Sequence, residues 1–269
     1  MKTIAIIQAR MNSSRLTGKV LLDIAGRPML ARVVERVQRS RSLDGLVVAT
    51  TLDASDDPLV SYCQSQGYEY MRGSQFDVLD RFYQAATRLR ADTVVRITAD
   101  CPVIDPALID LCLHEFTECE VDFAANRLPP PFGRTYPIGL DIEICTYRAL
   151  SRAWFESTQP HHREHVMPYL YEDATLTACS PTRSRGSTSR GFKVLLLNHV
   201  PDHGSLRWTV DTAEDLEFIR QVYAGFHGRD DFSWLEVLDL VQKNPEWSSI
   251  NASVRHKDMH EVDERGIKG

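Results

Sequence analysis

The sequence predicts an α/β protein built on a mostly parallel sheet with helices packed against both faces. Three observations carry this reading. Short apolar runs alternate with amphipathic helical segments through the first hundred residues, the pattern of strands joined by helical crossovers. The loops after two of those runs hold charged residues, and in such sheets ligands gather at the carboxyl ends of the strands. A chain of 269 residues suits one large domain with a small appendage. The expected division is a domain over 1–250, with an excursion at about 126–172, and a polar tail over 251–269.

The elements follow in order. Thr3 to Gln8 reads as a buried strand, and Pro28 to Arg39 as a helix with Met29, Leu30, Val33, Val34 and Val37 at helical spacing. Gly45 to Thr50 is the next strand. Asp56-Asp57-Pro58 opens a helix that Gly67 ends. Tyr68 to Met71 reads as a short strand, Val78 to Arg90 as a helix, and Thr93 to Ile97 as a strand rich in β-branched residues. Asp105-Pro106 has the form of a cap and first residue of a further helix. The second half is less regular. Leu128-Pro129-Pro130-Pro131-Phe132-Gly133 interrupts regular structure. Gly139 to Ile144 is expected as a strand, Tyr147 to Glu156 and His162 to Tyr171 as helices, and Arg183 to Arg190 as a mobile loop. Phe192 to Asn198 and Leu206 to Val210 read as strands and Ala213 to Tyr223 as a helix. From Asn251 the tail is expected to fray.

A net charge of −6 argues against general nucleic-acid binding, because the field of the whole molecule repels phosphate backbones. It does not oppose a small phosphorylated substrate in a local basic pocket. No apolar run is long enough for a membrane span, and the start of the chain lacks the pattern of a secretion signal. The six cysteines are scattered without a Cys-x-x-Cys pair, so free thiols in a cytoplasmic protein are expected.

The first strand runs into Gln8-Ala9-Arg10-Met11-Asn12-Ser13-Ser14-Arg15-Leu16-Thr17-Gly18-Lys19. Three cations among small residues suit a polyphosphate: guanidinium forks and an ammonium satisfy its charge, and small residues let backbone N–H groups approach it. A solvated basic loop has the same composition. The loop matches neither the Walker pattern nor the dinucleotide glycine pattern. Asp100 follows the strand ending at Ile97, in Thr98-Ala99-Asp100-Cys101-Pro102. An acid at a strand end facing a polyphosphate loop is placed to bind Mg²⁺, which takes one or two carboxylates plus phosphate oxygens; a turn or cap residue is the plain alternative. Asp211, in Leu206-Arg207-Trp208-Thr209-Val210-Asp211-Thr212, has the same setting and also suits a helix cap. Brought together, the two acids would make a nucleotidyl-transfer site.

These segments carry a resemblance. Gln8-Ala9-Arg10 with Ser14-Arg15-Leu16-x-Gly18-Lys19, then Leu22-Asp23-Ile24-x-Gly26-x-Pro28-Met29-Leu30, resemble the start of the CMP-sugar synthetases. Arg72-Gly73-Ser74-x-x-Asp77-Val78-Leu79-Asp80-Arg81-Phe82, Arg96-Ile97-Thr98-x-Asp100-Cys101-Pro102 and Arg207-Trp208-Thr209-Val210-Asp211-Thr212 resemble the spore-coat polysaccharide branch of that cytidylyltransferase superfamily. The likeness spans roughly residues 1 to 225. It departs at Thr17, where proline is usual, which removes some preorganisation but no phosphate ligand.

The resemblance implies a three-layer, Rossmann-like nucleotide-diphospho-sugar transferase fold and transfer of CMP from CTP to a sugar acid, with Mg²⁺ and release of pyrophosphate. It assigns catalysis to Arg15, Lys19, Asp100 and Asp211, with the two acids as metal ligands. Nucleotide contacts fall to Gln8, Ala9, Arg10, Ser14, Arg15, Lys19, Arg72, Gly73, Gln75, Asp77 and Thr98. The residues themselves offer Asn126, Arg127, Asp141, Glu143, Arg163, His165 and Arg207 as candidate sugar contacts; Asp141 and Glu143, expected on one strand face, suit sugar hydroxyls or an ammonium group, or an ordinary polar edge facing solvent. A homodimer is implied. Zinc is not expected at His161 and His165, since the His-Glu-x-x-His order is absent and no third ligand stands out; Arg163 is a candidate for a sugar carboxylate instead. A glycosyltransferase of related fold is the competing reading, against which stands Asp100-Cys101-Pro102 where Asp-x-Asp would be needed.

Overall fold

The computed structural model describes residues 1–255. The strands of its main sheet are β1 (Thr3–Gln8), β2 (Gly45–Thr51), β3 (Tyr70–Gly73), β4 (Thr93–Thr98), β5 (Phe123–Ala125), β6 (Glu143–Thr146), β7 (Thr175–Ser180), β8 (Arg183–Ser187) and β9 (Lys193–Leu197). They form one sheet in the order β3-β2-β1-β4-β6-β5-β9-β8-β7. The first four in that order are mutually parallel; β6 is antiparallel to both its neighbours, and β8 to both of its own. Helices α1 (Met29–Val37), α2 (Asp57–Gln66), α3 (Val78–Leu89), α4 (Pro106–Glu118), α5 (Tyr147–Glu156), α6 (Pro160–His165), α7 (Ala213–Gly225) and α8 (Trp234–Lys243) cover it. None of the described helices is long and apolar enough to cross a membrane.

Strand alternation separates two cores. Ala5 and Ile7 of β1 face a layer that includes Val33 and Val34 of α1, Ile109 of α4 and Ile219 of α7. Ile4 and Ile6 face the other way, toward Leu79 and Phe82 of α3 and Leu150 of α5. This is the three-layer arrangement expected. Gln8 pairs with Thr98 in register, so the loops after β1 and β4 leave the same edge of the sheet side by side.

The second half differs from expectation in four places. Arg183–Ser187 is strand rather than loop, paired on both sides. Its polar sequence hides it, and Gly186 is needed there because a Cβ would stand 1.7 Å from the Thr175 carbonyl oxygen. The helix expected over His162 to Tyr171 stops at His165: Val166 takes φ +71°, and Pro168 begins a single 3-10 turn. Pro168 has no N–H with which to continue the helical ladder, so an end to the helix near this point is written in the sequence. Regular pairing begins only at Glu143, leaving Asp141 outside the strand expected over Gly139 to Ile144. Leu206 to Val210 joins no sheet; it is extended chain held by Ile138, whose N–H donates to the Leu206 carbonyl (2.8 Å) and whose carbonyl accepts from Trp208 (2.6 Å). β5, β7 and α8 are further elements beyond those expected, and Ser233 and Glu236 form a capping box at the start of α8. Of the expected frayed tail, Asn251 is buried and donates to the Arg207 carbonyl at 3.1 Å; residues 256–269 lie outside the described chain.

Gly139 is where this second half meets the site. Its φ is +106°, and a Cβ would fall 2.6 Å from the Thr209 nitrogen and the Trp208 carbonyl carbon. Both the left-handed backbone and the backbone-to-backbone approach require glycine. Gly139→Ala is expected to cost about 2–3 kcal/mol and to lower the thermal midpoint accordingly; an unchanged midpoint in a melting experiment would contradict this packing.

Candidate active site

The loop after β1 is tied down before any ligand arrives. Asp56, fully buried ahead of α2, accepts from the Met11 N–H at 2.7 Å and from the Thr50 hydroxyl at 2.9 Å. The Gly18 N–H donates back to the Met11 carbonyl at 2.8 Å, and Gly18 takes φ +72°. This closure turns the chain so that Lys19 enters a 3-10 turn with its side chain directed inward.

Lys19 then meets both acids. Its Nζ donates to Asp100 Oδ2 at 2.9 Å, to Asp211 Oδ1 at 2.9 Å and to the Val210 carbonyl at 2.7 Å, using all three of its protons. The acids are brought together by main chain: the Asp100 carbonyl accepts from the Val210 N–H at 2.9 Å and the Thr209 hydroxyl at 3.0 Å. Asp211 also pairs with Arg15 at 2.9 Å and Arg207 at 2.9 Å. Burial works to raise its carboxyl, but the charge of Lys19 and the other cations outweigh it and hold it at about 2. Burial likewise works against the Lys19 ammonium, and the two carboxylates more than offset it, so its pKa is raised. Two carboxylates that converge on one ammonium are also able to share a small divalent cation, and hard oxygen donors suit Mg²⁺.

The acids and the loop line one cavity of about 900 Å³. Of the expected nucleotide contacts, Gln8, Ala9, Arg10, Ser14 and Thr98 line it with Arg15 and Lys19. Arg127, Asp141, Glu143 and His165 line the same cavity. Asp141 is clasped by Arg134, at 2.5 and 2.9 Å, and by Arg127 at 3.3 Å. Burial would raise its carboxyl, and the two guanidinium groups bring it down to about 2. Glu143 pairs with Arg96, which also donates to Gln8 at 3.1 Å.

Other expected residues stand away from the cavity wall. Arg72 is spent on the Thr51 and Asp53 carbonyls (2.7 and 2.8 Å) and on Asp57 (2.8 Å). Gly73 lets the Arg81 stem pass beneath it, where a Cβ would be only 2.6 Å from Arg81 Cγ. Asp77 caps α3 by accepting from the Asp80 N–H at 2.8 Å, and it takes Arg163 at 2.9 Å, which commits Arg163 to joining α3 and α6. Gln75, in the same turn, does not line the cavity either. Asn126 is a buried clamp between the Leu140 carbonyl (2.7 Å) and the Ile142 N–H (2.9 Å). Arg207 lies behind Asp211, held by Asp215 at 2.8 Å. Three residues not among the expected contacts matter here: Arg96, Arg134 and Asp215. Asp215 was legible as the fourth residue of the capping-box pattern that Thr212 opens; Arg134 carried no signal beyond being a cation in a proline-rich stretch.

The histidines gather differently from expectation. His161 and His162, rather than His165, reach one carboxylate, Glu172, at 2.9 and 2.7 Å. These three side chains are close enough to share a metal ion. Arg190 already supplies that carboxylate with a cation at 3.1 Å.

The Arg127–Asp141–Arg134 cluster has a pH consequence. Its carboxyl titrates at about 2 in the folded chain, against about 3.9 when unfolded. A lowered carboxyl pKa stabilises the fold above the unfolded value, and the contribution is lost as pH falls through the folded value. Melting midpoints followed from about pH 5 down to pH 2 should fall less steeply in Asp141→Asn than in the parent chain; parallel curves would contradict the cluster.

The family model described as cytidylyltransferase matches residues 4–223. The spore coat polysaccharide biosynthesis protein SpsF of Bacillus subtilis is 33% identical over 247 residues, covering 90% of this chain and 94% of that one. The 3-deoxy-manno-octulosonate cytidylyltransferase of Anaeromyxobacter dehalogenans is 31% identical over 240 residues, covering 81% and 96%. A solved cytidylyltransferase from Leptospira borgpetersenii superposes with a TM-score of 0.82 at 31% identity, over 95% of this chain and 100% of that one. With a match over most of its length and relatives of near-equal extent, the chain belongs to the cytidylyltransferase family.

Proposed function

We propose that the chain transfers CMP from CTP to a sugar acid, releasing pyrophosphate, with Mg²⁺ held by Asp100 and Asp211, in the synthesis of a surface glycan. The observation that carries the proposal is the meeting of the Arg10–Lys19 loop with both carboxylates in one cavity, through the shared Lys19 ammonium. Arg15 and Lys19 would neutralise the β- and γ-phosphates. A substrate oxygen would attack the α-phosphorus as the bond to the bridging oxygen of pyrophosphate breaks, so catalysis would be positioning and electrostatics. When bound, Mg²⁺ would draw charge from the α-phosphate oxygens. Asp141 has its oxygens engaged by Arg127 and Arg134. Arg96, Arg127 and Arg134 line the same cavity as Asp141 and Glu143, a surplus of positive charge that favours an acidic sugar over a neutral one.

The test is pyrophosphate release with Mg²⁺ and each of CTP, UTP, GTP and ATP, against 3-deoxy-manno-octulosonate, other nonulosonic acids and sugar 1-phosphates. Release with CTP and an acid sugar is expected. Turnover confined to a sugar 1-phosphate with another nucleotide would overturn the reading. The homodimer is part of the same proposal, and light scattering on the eluted protein decides it.

A further inference from the structure

We propose that Lys19 is the resident counter-ion of the Asp100–Asp211 pair. It yields that place to a divalent cation only when a nucleotide triphosphate draws its ammonium away, so that metal and nucleotide enter together. This rests on the reading that the pair binds the metal and the loop binds the triphosphate.

The ammonium lies 2.9 Å from an oxygen of each acid and is buried, with every proton engaged. A Mg²⁺ bound to both carboxylates at about 2.1 Å would need the same space. The ammonium and the ion therefore exclude each other. The site also holds no surplus negative charge to attract an ion: Asp100, Asp211 and Asp215 are met by Lys19, Arg15 and Arg207. A triphosphate changes both conditions. It offers Lys19 and Arg15 new anionic partners, and a lysine's flexible stem can follow them. As the cations leave, the two carboxylates are exposed to the metal. Linkage then requires each ligand to raise the other's affinity by the same factor.

The prediction has opposite signs for the two ligands, which a merely structural role for Lys19 would not give. In Lys19→Met without nucleotide, Mn²⁺ followed by paramagnetic resonance should bind about tenfold tighter than in the parent chain. In the same variant with EDTA, CTP measured by calorimetry should bind about tenfold weaker. Adding Asp100→Asn to Lys19→Met should abolish the gain in Mn²⁺ affinity. Should Lys19→Met lose its fold by circular dichroism, Lys19→Gln tests the same charge with a polar side chain. Mn²⁺ binding that is unchanged or weakened in a folded variant overturns the proposal. If the parent chain does not bind CTP, the functional reading fails, and the Mn²⁺ titration still decides whether Lys19 holds the pair.

Discussion

Replacing Asp100 with Asn is expected to lower pyrophosphate release from CTP by about a thousandfold, through loss of charge at the reacting phosphate. The change should leave the thermal midpoint nearly where it was. The reason lies in how Asp100 is held. Its main-chain carbonyl does the structural work, accepting from Val210 and Thr209, and asparagine keeps that carbonyl. Its carboxylate caps no helix; it meets Lys19 at 2.9 Å and the Cys101 thiol at 3.7 Å. A quarter of the side chain is exposed to the cavity. Asparagine keeps an oxygen for the Lys19 ammonium, which the Asp211 carboxylate and the Val210 carbonyl still hold, so a large loss of activity in a variant with an unchanged melting midpoint would be catalytic in origin. Steady-state rates with saturating CTP, alongside melting curves, provide the check. A drop of less than about tenfold would leave Asp100 as a turn residue and direct attention to Asp211 alone.

The parallel half of the fold was legible because local signals and the sheet agree there. Ile4, Ile6, Ala5 and Ile7 alternate between two cores, and Met29 to Val37 carry a helical stripe. Asp100 and Asp211 each follow a run that reads as a strand, yet they are not brought together as ends of neighbouring strands. Leu206 to Val210 is held by Ile138 and by the Asp100 carbonyl, not by a neighbouring strand. Such an extended segment has the composition of a strand, so periodicity cannot tell the two apart. The role of Lys19 shows a different limit. A cation in a phosphate loop reads as a phosphate ligand, and nothing in its spacing reveals that two acids from distant segments will claim it first. Arg163 and Arg72 fail to reach the cavity for a similar reason: Asp77 and the carbonyls of Thr51 and Asp53 are nearer partners, and guanidinium groups bind carbonyl oxygens as readily as ligands.

Asp215→Ala carries the largest expected loss of stability, about 3–5 kcal/mol, because it leaves the Arg207 guanidinium buried without its principal partner. Asp215 is completely buried and accepts from Arg207 Nε (2.8 Å) and Nη2 (2.9 Å), from the Asp211 and Thr212 N–H groups (2.9 and 3.1 Å), and from Asn251 (2.9 Å). It thus fixes the main chain of a proposed metal ligand and joins the start of α7 to residue 251. For a chain of this size the thermal midpoint should fall by roughly 10 °C. A second variant separates burial from positioning. Asp215→Leu combined with Arg207→Met removes both charges, and apolar replacement of a buried ion pair is often neutral or stabilising. That double variant should melt well above Asp215→Ala. Its turnover should stay low nonetheless, because Asp211 loses both the acceptor for its N–H and the guanidinium on its carboxylate. Recovery of activity together with stability would mean that the pair serves folding alone, and that Asp211 is placed by Lys19 and Arg15 without help from behind.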